Sequence, residues 1–224
     1  MKILFTIKIL SIFLATGAMA QTPSATEIIK KVDAIRMPQG DATFEVKIDD
    51  FAGTRLLTST TFFVQARGND SALVETLSPP TKKGRKLLML KDNLWFYSKT
   101  IRRPQRIGVA DRLTGEVANG DIARANYSGD YNSRLIDTVT LGKQKAYHLE
   151  LTGNRKEVTY QKLEVWVEVG SFHPIKTNFF TMGGKLLKTG EYSEFKKTFD
   201  REVNEEEDCV VCEDCYIEIM KHIN

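Results

Sequence analysis

KDNLWFYSKTIRRPQRI, residues 91–107, places four apolar side chains beside three arginines. Lys91-Asp92-Asn93 is a polar turn, Leu94-Trp95-Phe96-Tyr97 is an apolar run, and Arg102, Arg103 and Arg106 follow. Two arrangements fit these residues. Either the rings stack on bases while the guanidiniums hold phosphates, or the run is one strand of an apolar cup with a charged segment at its rim. The chain on either side separates the two.

Upstream, the pattern is that of a β-meander. Phe44, Val46 and Ile48 alternate with Glu45, Lys47 and Asp49. Residues 54–66 are rich in threonine, leucine and phenylalanine. Leu73, Val74 and Leu77 stop at Ser78-Pro79-Pro80, and Leu87 to Leu90 lead into the 91–93 turn. Alternation with regular turn signals predicts antiparallel strands with one dry and one wet face. Leu94–Tyr97 is apolar on both phases, the pattern of a central strand beneath a cover.

Before the strands, Ser24-Ala25-Thr26-Glu27 reads as a capping box, and Ile28, Val32 and Ile35 mark one apolar helix face ending near Pro38-Gln39-Gly40. After them, residues 105–132 lack sustained alternation and are too long for a hairpin loop, so a flap is expected, with one helical turn around Asp121–Ala125. Strands resume with Tyr147, Leu149 and Leu151 against His148 and Glu150. Leu163, Val165 and Val167 then alternate with Glu164, Trp166 and Glu168. Ile175, Thr177 and Phe179 follow, and Gly183-Gly184 marks a hairpin before KLLKTGEYSEF. A dry sheet face needs a cover. The helix and the flap are the candidates, and what they leave uncovered is a cavity.

The first twenty residues carry Lys2 and Lys8, an apolar run and Ala18-Met19-Ala20, the pattern of a cleaved secretory signal. The plainer alternative is a buried N-terminal helix. Removing residues 1–20 leaves 204 residues and lowers the net charge from +3 to +1. A near-neutral exported chain lacks the basic footprint of a nucleic-acid binder, so no nucleic acid is expected as a partner. Residues 21–200 hold no cysteine, which excludes a disulfide scaffold.

The motifs of catalysis are missing. G-x-S-x-G, H-E-x-x-H and G-x-G-x-x-G do not occur. His148 falls on the wet phase of a strand, and His173 precedes Pro174 in a turn. The expectation is no enzyme, no cofactor and no metal. The acidic tail from residue 201 to 224 stands apart, with Cys209, Cys212, Cys215 and His222. These residues bind a metal, pair in redox chemistry, or belong to an atypical ending of the fold.

The order and spacing of ALVETLSPPTKKGRKLLML, KDNLWFYS, NGDIARANYSGDY, AYHLELTGN, KLEVWVEVGSFHPIKTNFF and GGKLLKTGEYSEFK carry a family likeness. From about Ala25 to Lys197 the chain resembles the LolA-like periplasmic carriers that sort outer-membrane lipoproteins. The resemblance implies a mainly β fold, an incomplete antiparallel β-barrel. An N-terminal helix and a helical or loop flap would cover its apolar cavity, within one domain spanning 21–200. It implies a periplasmic monomer that shields the acyl chains of lipoproteins, or another lipid, between an inner-membrane transporter and an outer-membrane receptor. The alternatives are a protein–protein interaction module of an envelope transport system and a metal-binding protein using the tail cysteines. The expected cavity lining is Phe44, Val46, Ile48, Phe62, Val64, Leu88, Leu90, Trp95, Tyr97, Leu149, Leu163, Val165, Ile175 and Phe179. Arg102, Arg103, Arg106, Ile122 and Tyr127 are expected at the rim and flap. The family continues with further strands after GGKLLKTGEYSEFK, and this chain departs from it there.

Overall fold

The computed structural model describes residues 22–36, 40–68, 70–124, 126–193 and 195, with the backbone of 210–212. The expected signal segment, Cys209, Cys215 and His222 lie outside the described residues. In chain order the elements are α1 (Ala25–Arg36), β1 (Ala42–Ala52), β2 (Arg55–Arg67), β3 (Ser71–Ser78), β4 (Lys86–Leu90), β5 (Asn93–Tyr97), β6 (Gln105–Ile107), β7 (Arg112–Thr114) and β8 (Val117–Ala118). There follow α2 (Asn119–Ala123), α3 (Tyr127–Asp130), β9 (Tyr131–Leu141), β10 (Gln144–Gly153), β11 (Lys162–Glu168), β12 (Pro174–Phe180), β13 (Leu186–Glu191) and β14 (Val210–Cys212). No helix among the described residues is long and apolar enough to cross a membrane.

The capping box forms as expected. The Ser24 amide donates to Glu27 at 2.8 Å, and the Glu27 amide donates to the Ser24 hydroxyl at 3.3 Å. The Ser24 amide and hydroxyl hold the Glu27 carboxyl below its ordinary range. The buried stripe of α1 is Ile28, Ile29, Val32 and Asp33, while Ile35 is exposed. The helix is therefore rotated by about one residue from the predicted face, because Asp33 has buried partners of its own.

Strands β1 to β6 form an antiparallel meander, with β14 added parallel to β1. Strands β9 to β13 form a second antiparallel meander in the order 13-12-11-10-9. No ladder among the described residues joins the two sheets, so the barrel stays open. The register of the first sheet sorts side chains into rows. Ile107, Leu94, Met89, Ala72 and Ala66 form one inner row, and Phe96, Leu87, Val74, Val64 and Phe44 the next. Arg106, Trp95, Leu88 and Leu73 form an outer row.

Two expectations are corrected here. Leu94–Tyr97 is not a central strand. It is β5, next to the short edge strand β6, with Leu94 buried and Trp95 and Tyr97 on the outer face. Residues 105–132 also hold more structure than one helical turn: β6, a β7–β8 hairpin, α2 and α3. The hairpin turns on Gly115, whose φ of +50° suits a two-residue loop. Strands resume at Tyr131, well before Ala146. β9 carries little alternation in its sequence because it is an edge strand whose exposed outer positions need none.

The cover is divided between two cores. Ile28, Ile29 and Val32 of α1 pack on Leu149, Leu151, Leu163, Val165, Val167 and Phe179 of the second sheet. Val109, Val117, Ile122 and Ala123 of the flap pack on Phe44, Phe62, Val64, Val74, Met89 and Leu94 of the first. Leu163 is wholly buried in the first of these cores. Leu163→Ala should therefore cost about 2–5 kcal/mol in a urea titration. On the wet face, Lys162 and then Arg134 push the Glu150 carboxyl down to about 2. A depressed carboxyl stabilises the fold above its unfolded pKa and loses that contribution as pH falls towards 2. Because the pair is at the surface, Glu150→Gln should cost under about 1 kcal/mol at pH 7, and nothing at the acid end of the same titration.

Candidate functional site

A cleft of about 280 Å³ lies between the inner face of the first sheet and the flap. Its floor is Phe62, Val74, Leu87, Phe96 and Ile107, and its roof is Leu113, Thr114 and Asn119. The floor is apolar because β2 to β5 each turn their dry phase this way. Thr60 and Thr76 add hydroxyls, and Thr60 Oγ1 is buried with no hydrogen-bond partner among the described residues. Lys82, Arg85, Lys86, Asp111 and Arg112 stand at the mouth.

The flap holds itself together through backbone and short polar contacts. The Gly108 amide donates to Asp111 at 2.8 Å, the Gly120 amide to the Val109 carbonyl at 2.8 Å, and Asn119 Nδ2 to the Gly108 carbonyl at 3.0 Å. It reaches the second sheet through Asp121. That carboxylate accepts from the Ala118 amide at 2.9 Å, from the Tyr160 hydroxyl at 3.0 Å and from Lys188 Nζ at 2.6 Å. Lys188 also donates to the Glu116 carbonyl at 2.9 Å and lies 4.8 Å from the centre of the Phe179 ring. Its side chain is 3% exposed. Burying an ammonium so far from water is costly unless oxygens surround it, as the Asp121 carboxylate and the Glu116 carbonyl do here. Burial, followed by the neighbouring Asp121 charge, raises the Tyr160 hydroxyl far above its ordinary value, so it remains a donor.

Two further polar anchors sit beside the flap. Asp130 pairs with both Arg124 and Arg155, and Arg155 also meets Asp92 at 3.1 Å. Arg124 Nη1 donates to the Lys91 carbonyl at 2.8 Å, tying α2 to the β4–β5 turn. Asp33 of α1 accepts from the Tyr127 and Ser128 amides at 3.0 and 2.7 Å, tying α1 to α3. Burial raises the Asp33 carboxyl, and these two amides oppose the rise.

The expected lining divides into three groups. Phe62 lines the cleft, and Phe44, Val46, Ile48 and Val64 share its inner face and core. Leu149, Leu163, Val165 and Phe179 lie instead in the core beneath α1, and Ile175 is half-buried at the bulge where Pro174 takes the place opposite Val167. Leu88, Leu90, Trp95 and Tyr97 are exposed on the outer face, turned away from the cleft. For these four the correction is one of phase: where both phases are apolar, sequence does not say which is inside. Ile122 packs in the flap core as a flap residue, and Tyr127 packs beneath α1. Arg102, Arg103 and Arg106 are exposed and pair with no carboxylate among the described residues. The arginines that hold the flap region are Arg124 and Arg155. Sequence reading also missed Lys188, whose place in the alternating stretch KLLKTGEY looks like an ordinary wet position.

A family model described as an uncharacterized protein family matches residues 68–208. Among solved structures, a LolA superfamily protein from Nitrosomonas europaea is 37% identical, with 79% of this chain and 80% of that one covered at a TM-score of 0.75. An outer membrane lipoprotein-sorting protein domain from Vibrio parahaemolyticus is 22% identical, covering 77% and 78% at 0.63. A DUF1329 family protein from Desulfovibrio piger is 19% identical, covering 75% and 76% at 0.63. These last two likenesses concern the fold. A search of curated proteins returned no match.

Lys188→Met keeps the stem and removes the ammonium, leaving Asp121 short of its cation. It should lower stability by about 3 kcal/mol and speed amide hydrogen exchange at Asn119 and Gly120 before the strand amides. Gly120→Ala, whose new Cβ overlaps Thr159, should loosen the same segment. Exchange at Asn119 and Gly120 that matches the native rate in both variants would show that Lys188 does not hold the flap.

Proposed function

This chain belongs to the LolA superfamily, and on that premise we propose that it is a periplasmic carrier that shields the acyl chains of a lipoprotein or another lipid between two membranes. The observation that carries the reading is the apolar cleft roofed by a flap that is fastened by a buried ion pair. Transfer between an inner-membrane transporter and an outer-membrane receptor, by a monomer that catalyses no reaction, completes it.

Magnitudes favour a moving flap. The cleft is slightly smaller than the ~300 Å³ at which small-molecule pockets usually begin. With the flap closed it admits part of a chain. Burying a long acyl chain is worth roughly 10 kcal/mol, at about 0.8 kcal/mol per methylene. Lifting the flap uncovers Val109, Leu113, Val117 and Ile122, at about 1.5–3 kcal/mol each, and strains the Lys188–Asp121 pair. The two sums are close. Cargo therefore displaces the flap without binding so tightly that release stops, and the flap acts as a built-in competitor.

Native mass spectrometry of protein recovered from the periplasm without detergent is the test. Adducts of lipid or lipopeptide mass are expected, and Phe62→Glu or Val74→Glu should abolish them by placing a charge on the cleft floor. An adduct-free mass that persists after incubation with an acylated peptide would overturn the carrier reading and favour a concave face that holds a protein segment.

A further inference from the structure

The outer face of the first sheet carries an open apolar groove of about 440 Å³ that faces away from the cleft. Leu73, Leu88, Trp95, Tyr97 and Pro104 line it, with the stem of Lys86. Trp95 and Tyr97 are 36% and 39% exposed. The groove crosses the faces of β3, β4 and β5, whose backbones are already paired on both sides, so an added strand does not explain it. Nor does packing within the chain, since Phe96, the inward-facing aromatic residue of β5, packs against the flap's core on the other side of the sheet.

Charge identifies the occupant. Residues 79–113 hold ten lysines and arginines against two acids, Asp92 and Asp111. Asp92 is taken up by Arg155 and Arg124, and Asp111 by the Gly108 amide. Glu75, next to the groove on β3, is neutralised by Lys86 at 3.0 Å. Arg106 stands opposite Trp95 across the β5–β6 pair, and Arg102 and Arg103 directly precede Pro104. None of these three has a carboxylate partner among the described residues. An apolar strip with a tryptophan and a tyrosine, bordered by unpaired guanidiniums, matches the boundary between headgroups and acyl chains of an anionic bilayer.

We propose that this outer groove docks the protein, reversibly and side-on, onto a bilayer surface carrying anionic phospholipid, with Trp95 and Tyr97 at the headgroup level and Arg102, Arg103 and Arg106 on the phosphates. The docking surface is separate from the cleft and does not depend on what the cleft carries. It leaves the flap on the opposite side of the sheet from the membrane face.

The test is flotation of protein recovered from the periplasm with vesicles of phosphatidylcholine alone, or mixed with phosphatidylglycerol in equal parts. A Trp166→Phe background makes Trp95 the sole tryptophan. Binding to the anionic vesicles alone is expected, weakened by salt, with a blue-shifted Trp95 emission quenched by brominated acyl chains. Each arginine is worth about fivefold in partitioning, so Arg102→Gln, Arg103→Gln and Arg106→Gln together should reduce binding about a hundredfold. Trp95→Ser should reduce binding while leaving the thermal midpoint and lipid adducts in native mass spectrometry unchanged. Equal binding to neutral vesicles, no binding, or an unquenched Trp95 in bound protein would each overturn the proposal, the last two in favour of a protein partner. The quenching readout needs no change to the groove and stands even if a groove variant folds poorly.

Discussion

Closure of this molecule depends on a buried charge. Lys188 and Asp121 meet at 2.6 Å between a strand of the second sheet and a helical turn of the flap. Neither partner is comfortable alone in that position, since a buried ion without its counterion is far more costly than the pair. The contact therefore fixes the flap against the second sheet only where both partners meet.

This explains why the two cores are separate. α1 belongs to the second sheet and the flap to the first. The polar contacts of Asp121, Asp130 and Asp33 lie where the two covers meet. Apolar contact attracts without direction, so it gives each cover an area but no place to stop. Hydrogen bonds and ion pairs have preferred distances and angles. Here they set where the flap ends and α1 begins.

The first sheet has two apolar faces near β5, and they serve different surroundings. Phe96 looks into the cleft, and Trp95 looks out beside Arg106. Aromatic residues next to arginines are sorted by alternation: Phe96 faces the cleft, Arg106 lies with Trp95 on the outer side of the same sheet, and Arg102 and Arg103 are exposed just ahead of Pro104. None of the three arginines pairs with a carboxylate among the described residues.

Sequence by itself determined the elements whose signals are local. The Ser24–Glu27 cap, the alternation of β1, β10 and β11 and the hairpin at Gly183-Gly184 are all short-range patterns, and each depends on neighbours a few residues apart. Family likeness over most of the chain pointed to the open barrel. Tertiary structure decided the rest. Which phase of Leu94–Tyr97 faces inward is set by its register with β4 and β6, and both phases are apolar. Whether Leu163 lines a cavity or a core is set by where α1 lies. That Lys188 is buried against Asp121, 67 residues away, is set by the packing of the flap on a sheet formed later in the chain. A lysine carries no mark of burial in its own neighbourhood, because the partner that makes burial tolerable is brought to it only by the fold.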